Sequence, residues 1–130
     1  IYVSNADTAA SRLGYDPGST THKTMAIKNI GTWQSIYCVT ANMPSAALRE
    51  IAKTAGVHIY NNANDALYAN KSYVCIHPSS AGSRTIYFPQ AVTIYDALAE
   101  GAPLATGVIN YTTPSLQLGE TKIYRYTATP

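Results

Sequence analysis

The chain has 130 residues, of which 46% are hydrophobic and only 12% charged, and nine lysines and arginines against seven acidic residues leave a net charge of +2. Such a composition supports a buried core and excludes a disordered chain. The basic residues never cluster and no apolar run is long enough to cross a bilayer, so we expect no nucleic-acid partner and no membrane partner. The opening residues lack the basic segment of a signal peptide, and we expect none.

Strands are predicted in the first third of the chain. Residues 24–30 and 33–40 alternate as strands do, and Gly31 separates them, which predicts a hairpin. The apolar stretch at residues 1–13 also has the composition of a strand, but a turn-rich loop separates it from residues 24–30. We therefore expect this stretch to pair with the sheet edge of a neighbouring subunit.

One helix is predicted at residues 45–55. Pro44 suits its first turn, and Gly56 suits the position just past its end. A short strand is predicted at residues 57–60, which would complete a β-α-β segment. The apolar stripe of the helix, which we expect to pack into the core, consists of Leu48, Ile51, Ala52 and Ala55.

From residue 61 onward the pattern is β throughout. Short strand-like segments alternate with breaks at proline and glycine, which is typical of a small antiparallel sandwich. These segments cover residues 66–69, 72–77, 84–88, 91–96, 104–109, 115–118 and 121–127. The predicted fold class is therefore α+β, a short β-α-β segment followed by a small antiparallel β-sandwich, with domains at residues 1–60 and 61–130.

Tyrosine dominates the aromatic residues, with 11 against one phenylalanine and one tryptophan. Tyr87 and Tyr95 alternate with aliphatic residues along their segments and should face away from the core, and Tyr111 is a third candidate. Exposed tyrosines stack on sugar rings or pack against another subunit. The alternative is that they lie half-buried on the sheet of a β-rich protein. A hydroxyl-rich surface of low charge suits an extracellular or cell-surface protein.

Cysteines and histidines give no metal or redox motif. Cys38 and Cys75 lie in strand-like runs, where they form either one disulfide in an oxidising compartment or two small buried hydrophobes. No CxxC pattern is present, which argues against a zinc or thioredoxin-type site. The histidines lie far apart in the sequence, at His22, His58 and His77.

No constellation of residues predicts an enzyme. The acidic residues are dispersed, and even the closest pair, Asp96 and Glu100, indicates solvated charge rather than the paired carboxylates of a glycosidase. No GxSxG elbow or phosphate-binding glycine loop occurs, and the serines at 79–83 predict a flexible turn. The turn at 61–65 predicts an Asx turn rather than a calcium site. We expect no catalytic residue, no metal site and no cofactor.

Two asparagines match the acceptor pattern for N-glycosylation. Asn70 opens the triplet N-K-S and Asn110 opens N-Y-T. Such triplets are common by chance, and Asn110, close to Pro114, is the better surface candidate.

Several segments together resemble a known family. They are WQSIY at 33–37, LREIA at 48–52, AGVHIY at 55–60 and LYANKSYV at 67–74. They resemble the C-terminal region of glycoside hydrolases of the family-42 β-galactosidase type, roughly over residues 24–126. The resemblance implies the end of an amidotransferase-like, flavodoxin-like trimerisation domain in residues 1–60, followed by the C-terminal β-sandwich. In that family the catalytic carboxylates belong to a barrel that this chain lacks, so no catalytic residue is transferred.

Two functions fit these observations. The first is a non-catalytic structural and self-assembly module, in its sharpest form a secreted homopolymer or filament subunit with homo-oligomeric partners. The alternative is an accessory carbohydrate-binding C-terminal domain of a glycoside hydrolase. Low charge, outward tyrosines and an incomplete α/β half favour the first, whereas the resemblance favours the second.

Overall fold

The computed structural model describes residues 10–15, 23–39, 42–99 and 101–129. They divide into two compact units, Ile1–Ala47 and Leu48–Pro130, here called unit 1 and unit 2. The elements in chain order are β1 (Ala10–Tyr15), β2 (Lys23–Ile30), β3 (Trp33–Cys38), α1 (Ser45–Thr54), β4 (Ala66–Ala69), β5 (Tyr73–His77), β6 (Thr85–Asp96), β7 (Ala105–Thr112) and β8 (Lys122–Ala128). This mixture of antiparallel sheets with one short helix confirms the α+β class. The domain boundary expected after residue 60 stays a prediction.

Unit 1 is a three-stranded antiparallel sheet in the order β1-β2-β3. The predicted hairpin is confirmed, because Ile30 pairs with Trp33 across a two-residue loop. Gly31 opens that loop with a φ of 59°, the positive value that a type II′ turn needs at its first position. The antiparallel pairing differs from a flavodoxin-like half, whose strands would run parallel around a crossover helix.

Strand β1 corrects one expectation about the start of the chain. Residues 10–15 pair with β2 of the same chain, from Ala10 opposite Lys28 to Tyr15 opposite Lys23. The expected lack of a local partner is therefore wrong for residues 10–13, which pair with β2 of their own chain. Residues 1–9 lie outside the described part of the chain.

Helix α1 is confirmed, and its end shows why the sequence predicts it well. The Val57 N–H donates to the Ala52 carbonyl at 2.9 Å, and the Gly56 N–H donates to the Lys53 carbonyl at 3.0 Å. Together with a φ of 75° at Gly56, these bonds form a Schellman cap. The packing differs from the prediction, because no helix residue is fully buried and Leu48 is 52% exposed.

The strand expected at residues 57–60 is replaced by an irregular segment. Its end is fixed to β6 by one backbone bond, from the Tyr87 N–H to the Tyr60 carbonyl at 2.8 Å. The next N–H of β6 on that side would belong to Pro89, which has none, so the ladder cannot continue. The segment therefore runs beside β6 without becoming a strand.

Unit 2 is built on a five-stranded antiparallel sheet in the order β4-β5-β8-β6-β7. Its longest strand, β6, joins the two segments that the sequence separates at Pro89. The pairing of β6 with β7 slips between Tyr87 opposite Asn110 and Val92 opposite Val108, so three extra residues of β6 bulge at the proline. This irregularity lets the two halves of β6 contribute to a small sandwich-like arrangement.

The core of unit 2 is filled by β5, β6 and β8. Its buried side chains are Val74, Ile76, Ile86, Phe88, Val92, Ile94, Leu116, Tyr124 and Tyr126. The helix contributes none of them, which explains why its apolar stripe is not core. The segment expected as a strand at 115–118 forms only a single bridge, from Leu116 to Gly82, but it delivers Leu116 into this core.

Candidate functional site

An open groove of about 480 Å³ lies in unit 2 between the turn after residue 60 and the loop at 79–83. Its walls carry amides, hydroxyls and one aromatic ring rather than carboxylates. We define this polar groove by Asn61, Asn62, Asn64, Ser80, Ser83 and Tyr87. These side chains offer both hydrogen-bond donors and acceptors, and Arg84 also lines the groove.

A buried ion pair underlies the groove. Arg84 Nε lies 2.6 Å from Asp65 Oδ2, and the two side chains are 10% and 0% exposed. Asp65 Oδ1 also accepts hydrogen bonds from the Ser79 N–H at 2.9 Å and from Ser79 Oγ at 3.1 Å. Burial raises the pKa of Asp65, but the hydrogen bonds from Arg84 and Ser79 outweigh it and leave the pKa below its usual value. Asp65 is therefore a fixed anion inside the protein.

The other donors of Arg84 hold the loop at 79–83. One terminal nitrogen donates to the Ser80 carbonyl at 2.7 Å and to Ser80 Oγ at 3.0 Å. The other donates to the Ser83 carbonyl at 3.2 Å. The segment predicted as a flexible turn is thus linked to Asp65 through Arg84 at Ser80 and Ser83, and its flexibility stays a prediction. The sequence carries no sign of this link, since the two residues of the ion pair are 19 positions apart.

The opposite wall of the groove is the turn that follows residue 60. Asn61 Oδ1 accepts a hydrogen bond from the Ala63 N–H, which confirms the predicted Asx turn. Arg49 of α1 donates to the Ala63 carbonyl at 3.1 Å and to Asn64 Oδ1 at 2.8 Å. The helix thus positions this turn through one arginine, although its apolar side is not buried.

Among the described residues, Tyr87 contributes the only aromatic ring that lines the groove. As predicted, it alternates with Ile86 and Phe88, both of which are buried, while Tyr87 is 37% exposed. Its backbone is held on both sides, by β7 through Asn110 and by the segment before β4. His58 Nε2 lies 2.9 Å from the Tyr87 carbonyl and adds a further contact.

Tyr95 lies on a different surface, the outer face of the five-stranded sheet. Arg125 on β8 pairs with Tyr73 on one side and with Tyr95 on the other, so the three share one row. The guanidinium of Arg125 lies 4.1 Å from the centre of the Tyr95 ring, in cation–π contact. Tyr73 is 44% exposed, and Tyr68 on β4, diagonal to it, is 74% exposed. We call Tyr68, Tyr73, Tyr95 and Arg125 the tyrosine face.

Tyr68 and Tyr73 were not among the tyrosines predicted to be functional. Their signal was present, because Tyr68 follows Leu67 and Tyr73 precedes Val74, which both point inward. Their grouping with Tyr95 depends on β8 lying between β5 and β6, a strand order that alternation alone cannot give.

Tyr111 does not join the other two predicted tyrosines. It pairs with Ile86, on the core side of the sheet, and its ring packs edge-on against Tyr124 with the centroids 5.5 Å apart. Burial raises the pKa of Tyr111 above its usual value. Tyr111 therefore faces the core side of the sheet, and the three candidates lie in three separate places.

The cysteine and glycosylation predictions remain untested. Cys38 lies on β3 of unit 1 and Cys75 on β5 of unit 2, and both are half-buried. Asn70 uses its Oδ1 to accept from the Ser72 N–H at 2.9 Å and from the Tyr73 N–H at 2.8 Å. Asn110 is exposed on β7.

The described residues bring no three His, Cys, Asp or Glu side chains together as a metal site. Glu100, the expected neighbour of Asp96, lies outside the described residues. The His77 ring contacts a hydroxyl group, because its Nδ1 lies 2.9 Å from Thr121 Oγ1. In the described part of the chain, no helix has the length and hydropathy to span a bilayer.

Comparison with known proteins supports one relationship. No protein-family model matches the sequence, and no curated protein matches it. The fold is similar to part of a solved β-galactosidase from Bacillus circulans sp. alkalophilus, with a TM-score of 0.55 and 20% identity. The similarity covers 92% of this chain and 18% of that enzyme chain. The expected resemblance to a β-galactosidase is thus confirmed as a resemblance of fold, and the chain spans less than a fifth of the enzyme it resembles.

Proposed function

We propose that the chain is a non-catalytic accessory module of a β-galactosidase-like glycoside hydrolase, and that it contacts carbohydrate. The observation that carries this proposal is the extent of the fold match: almost the whole chain corresponds to a small part of one enzyme chain. A segment of that size has no room for the barrel on which the resembled enzymes place their catalytic carboxylates. We therefore propose that this segment binds a ligand and does not catalyse a reaction.

The tyrosine face is the surface proposed for an extended glycan. Tyrosine rings offer an apolar face to the C–H groups of a sugar and a hydroxyl to its oxygens. Tyr73 and Tyr95 flank Arg125 two strand spacings apart, about 10 Å, and Tyr68 lies on the diagonal from Tyr73, about 7–8 Å away. Several rings at such spacing contact successive sugar units of one chain rather than a single unit.

Affinity electrophoresis in gels that contain a soluble galactan tests this proposal. We expect the wild-type chain to be retarded and the double variant Tyr68→Ala, Tyr73→Ala to lose most of the retardation. Tyr37→Ala is the matched control, because Tyr37 is 46% exposed but lies on β3 of unit 1. The proposal would be contradicted if the wild type migrated equally in gels without polysaccharide, in gels with galactan, and in gels with cellulose-derived or mannan polymers.

Turnover is tested separately. We expect no hydrolysis of a nitrophenyl β-galactoside above the buffer rate. Activity that co-purifies with the chain through two different columns, and that scales with its concentration, would overturn the non-catalytic assignment.

Self-assembly is the second proposal, and the exposed apolar residues Ile109 on β7 and Tyr68 on β4 favour it. Both lie on edge strands of the five-stranded sheet, where a second copy can add its own strand. Homo-oligomerisation, a filament form and an extracellular location remain predictions. Sedimentation of the purified chain over a hundredfold concentration range separates a homopolymer, which would grow with concentration, from a module that stays a single species.

A further inference from the structure

We infer that the polar groove is a second binding site, for the end of a short neutral saccharide, separate from the tyrosine face. The class of ligand rests on the proposed function, whereas the position of the site rests on the groove itself. The two can therefore fail independently.

Arg84 is the charged residue among those that line the groove, and its charge is already matched within the protein. All three guanidinium nitrogens of Arg84 donate to protein oxygens, and its charge is matched by Asp65, whose side chain is fully buried. A phosphate or carboxylate ligand at Arg84 would have to displace hydrogen bonds that hold the loop. What the groove presents is amide and hydroxyl groups, which suit a ligand that both donates and accepts hydrogen bonds.

Asn62 and Tyr87 are the residues best placed to define the ligand. The Asn62 side chain is exposed in the groove and offers one acceptor and two donors, which can bind neighbouring hydroxyls of a sugar ring. Tyr87 adds a ring wall against which the C–H face of the sugar can stack. A wholly apolar ligand would leave the amides unpaired, and a small ion would not use the ring.

Hydrogen bonds hold both walls of the groove in the absence of a ligand. The Asp65–Arg84 pair fixes one wall through Ser79 and Ser80, and Arg49 fixes the other through Asn64. Binding therefore orders few protein groups, which lowers its entropic cost. The groove volume of about 480 Å³ lies within the range of about 300–1,000 Å³ typical of small-molecule sites. Its open side leaves space for the rest of a longer chain.

Titration with lactose, followed by amide chemical shifts of the ¹⁵N-labelled chain, tests this inference. We expect saturable shifts at residues of the turn after residue 60 and of the loop at 79–83. Tyr87→Ala should weaken the affinity for lactose about tenfold, and Asn62→Ala about threefold to tenfold. Tyr37→Ala is again the control and should leave the affinity unchanged. Tyr87→Phe should bind nearly as the wild type, because it keeps the stacking wall.

Two further arms distinguish the alternatives. Shifts at the groove with inorganic phosphate but none with lactose would overturn the inference and indicate an anion site. Lactose shifts confined to the tyrosine face, lost in Tyr73→Ala and kept in Tyr87→Ala, would also overturn it while supporting the proposed function. Lactose binding at the groove in a chain that galactan gels do not retard would instead sustain this inference and reject the tyrosine face as a glycan platform.

Discussion

The two units of this chain contain similar antiparallel sheets but bury them very differently. Unit 2 encloses a core of nine buried residues, whereas Ala26 is the only fully buried hydrophobic side chain that the structure describes in unit 1. The larger strand residues of unit 1, such as Ile27 and Ile36, are half-buried. Hydrophobic stabilisation scales with the apolar area removed from water, so unit 2 should account for most of the stability. The comparison teaches that strand pairing alone does not make a core.

Breaking the buried ion pair of unit 2 should have the largest effect. Asp65→Asn leaves the Arg84 charge buried without a counter-charge, and we expect a loss of about 3–5 kcal/mol in the free energy of unfolding. The measurement is urea denaturation at pH 7. Glu50→Gln, which removes an exposed ion pair with Lys53 in α1, is the control and should cost about 0–0.5 kcal/mol.

The same pair gives unit 2 an acid dependence of known sign. The pKa of Asp65 is lower in the folded protein than in the unfolded chain. The contribution of Asp65 to the free energy of unfolding is therefore complete above the ordinary carboxyl pKa of about 4. It is lost as the pH falls below that value and through the lower pKa of the folded protein. Asp65→Asn should therefore flatten the fall in stability between pH 5 and pH 3. A double variant, Asp65→Leu with Arg84→Met, should recover much of the loss at pH 7, and failure to do so would assign the effect to the Ser79 bonds instead.

A matched pair of isoleucines tests the comparison of the two units directly. Ile94 in β6 is fully buried and Ile27 in β2 is half-buried. We expect Ile94→Ala to cost about 2–5 kcal/mol and Ile27→Ala about half as much or less. Trp33, the single tryptophan, lies on β3, so its fluorescence follows unit 1 while the near-ultraviolet circular dichroism of the core tyrosines follows unit 2. Equal costs for the two variants would show that unit 1 has a core of comparable strength.

The sequence predicts local features of this fold well. Alternation predicts the ends of β5 and β8 to within one or two residues of those observed, and the cap signals predict both ends of α1. Both kinds of signal depend only on neighbours along the chain. The sequence also orients Tyr87 correctly. What it could not predict depends on distant partners: the continuation of β6 through Pro89, which needs β7 and β8 on either side, and the Asp65–Arg84 pair.

The site shows the same division. The Asx turn at Asn61 was predictable because its donor lies two residues away. The groove was not, because it arises where that turn meets the loop at 79–83. The tyrosine face required the order of five strands, and the side of the sheet on which Tyr111 lies is set by its register with Ile86.

Helix α1 should show the smallest effects, and it reverses the expectation drawn from its periodicity. The stripe predicted a core helix, in which Leu48→Ala would cost about 2–4 kcal/mol. Since Leu48 is half exposed and no helix residue is fully buried, we now expect about 0.5–1 kcal/mol. The Schellman cap should matter at least as much. Gly56→Ala places a Cβ at a φ of 75°, with no neighbour within 4 Å to clash, so its cost is purely conformational, about 1–2 kcal/mol.

Urea denaturation of the two variants decides between cap and stripe. A larger loss for Gly56→Ala than for Leu48→Ala would mean that the helix is held by its end and by the bonds of Arg49 to the turn of the groove. A loss of 2 kcal/mol or more for Leu48→Ala would restore the stripe as a packing surface. Because Arg49 links α1 to the groove, that result would also mean that packing of the whole helix, and not only the bonds of Arg49, holds the groove turn in place.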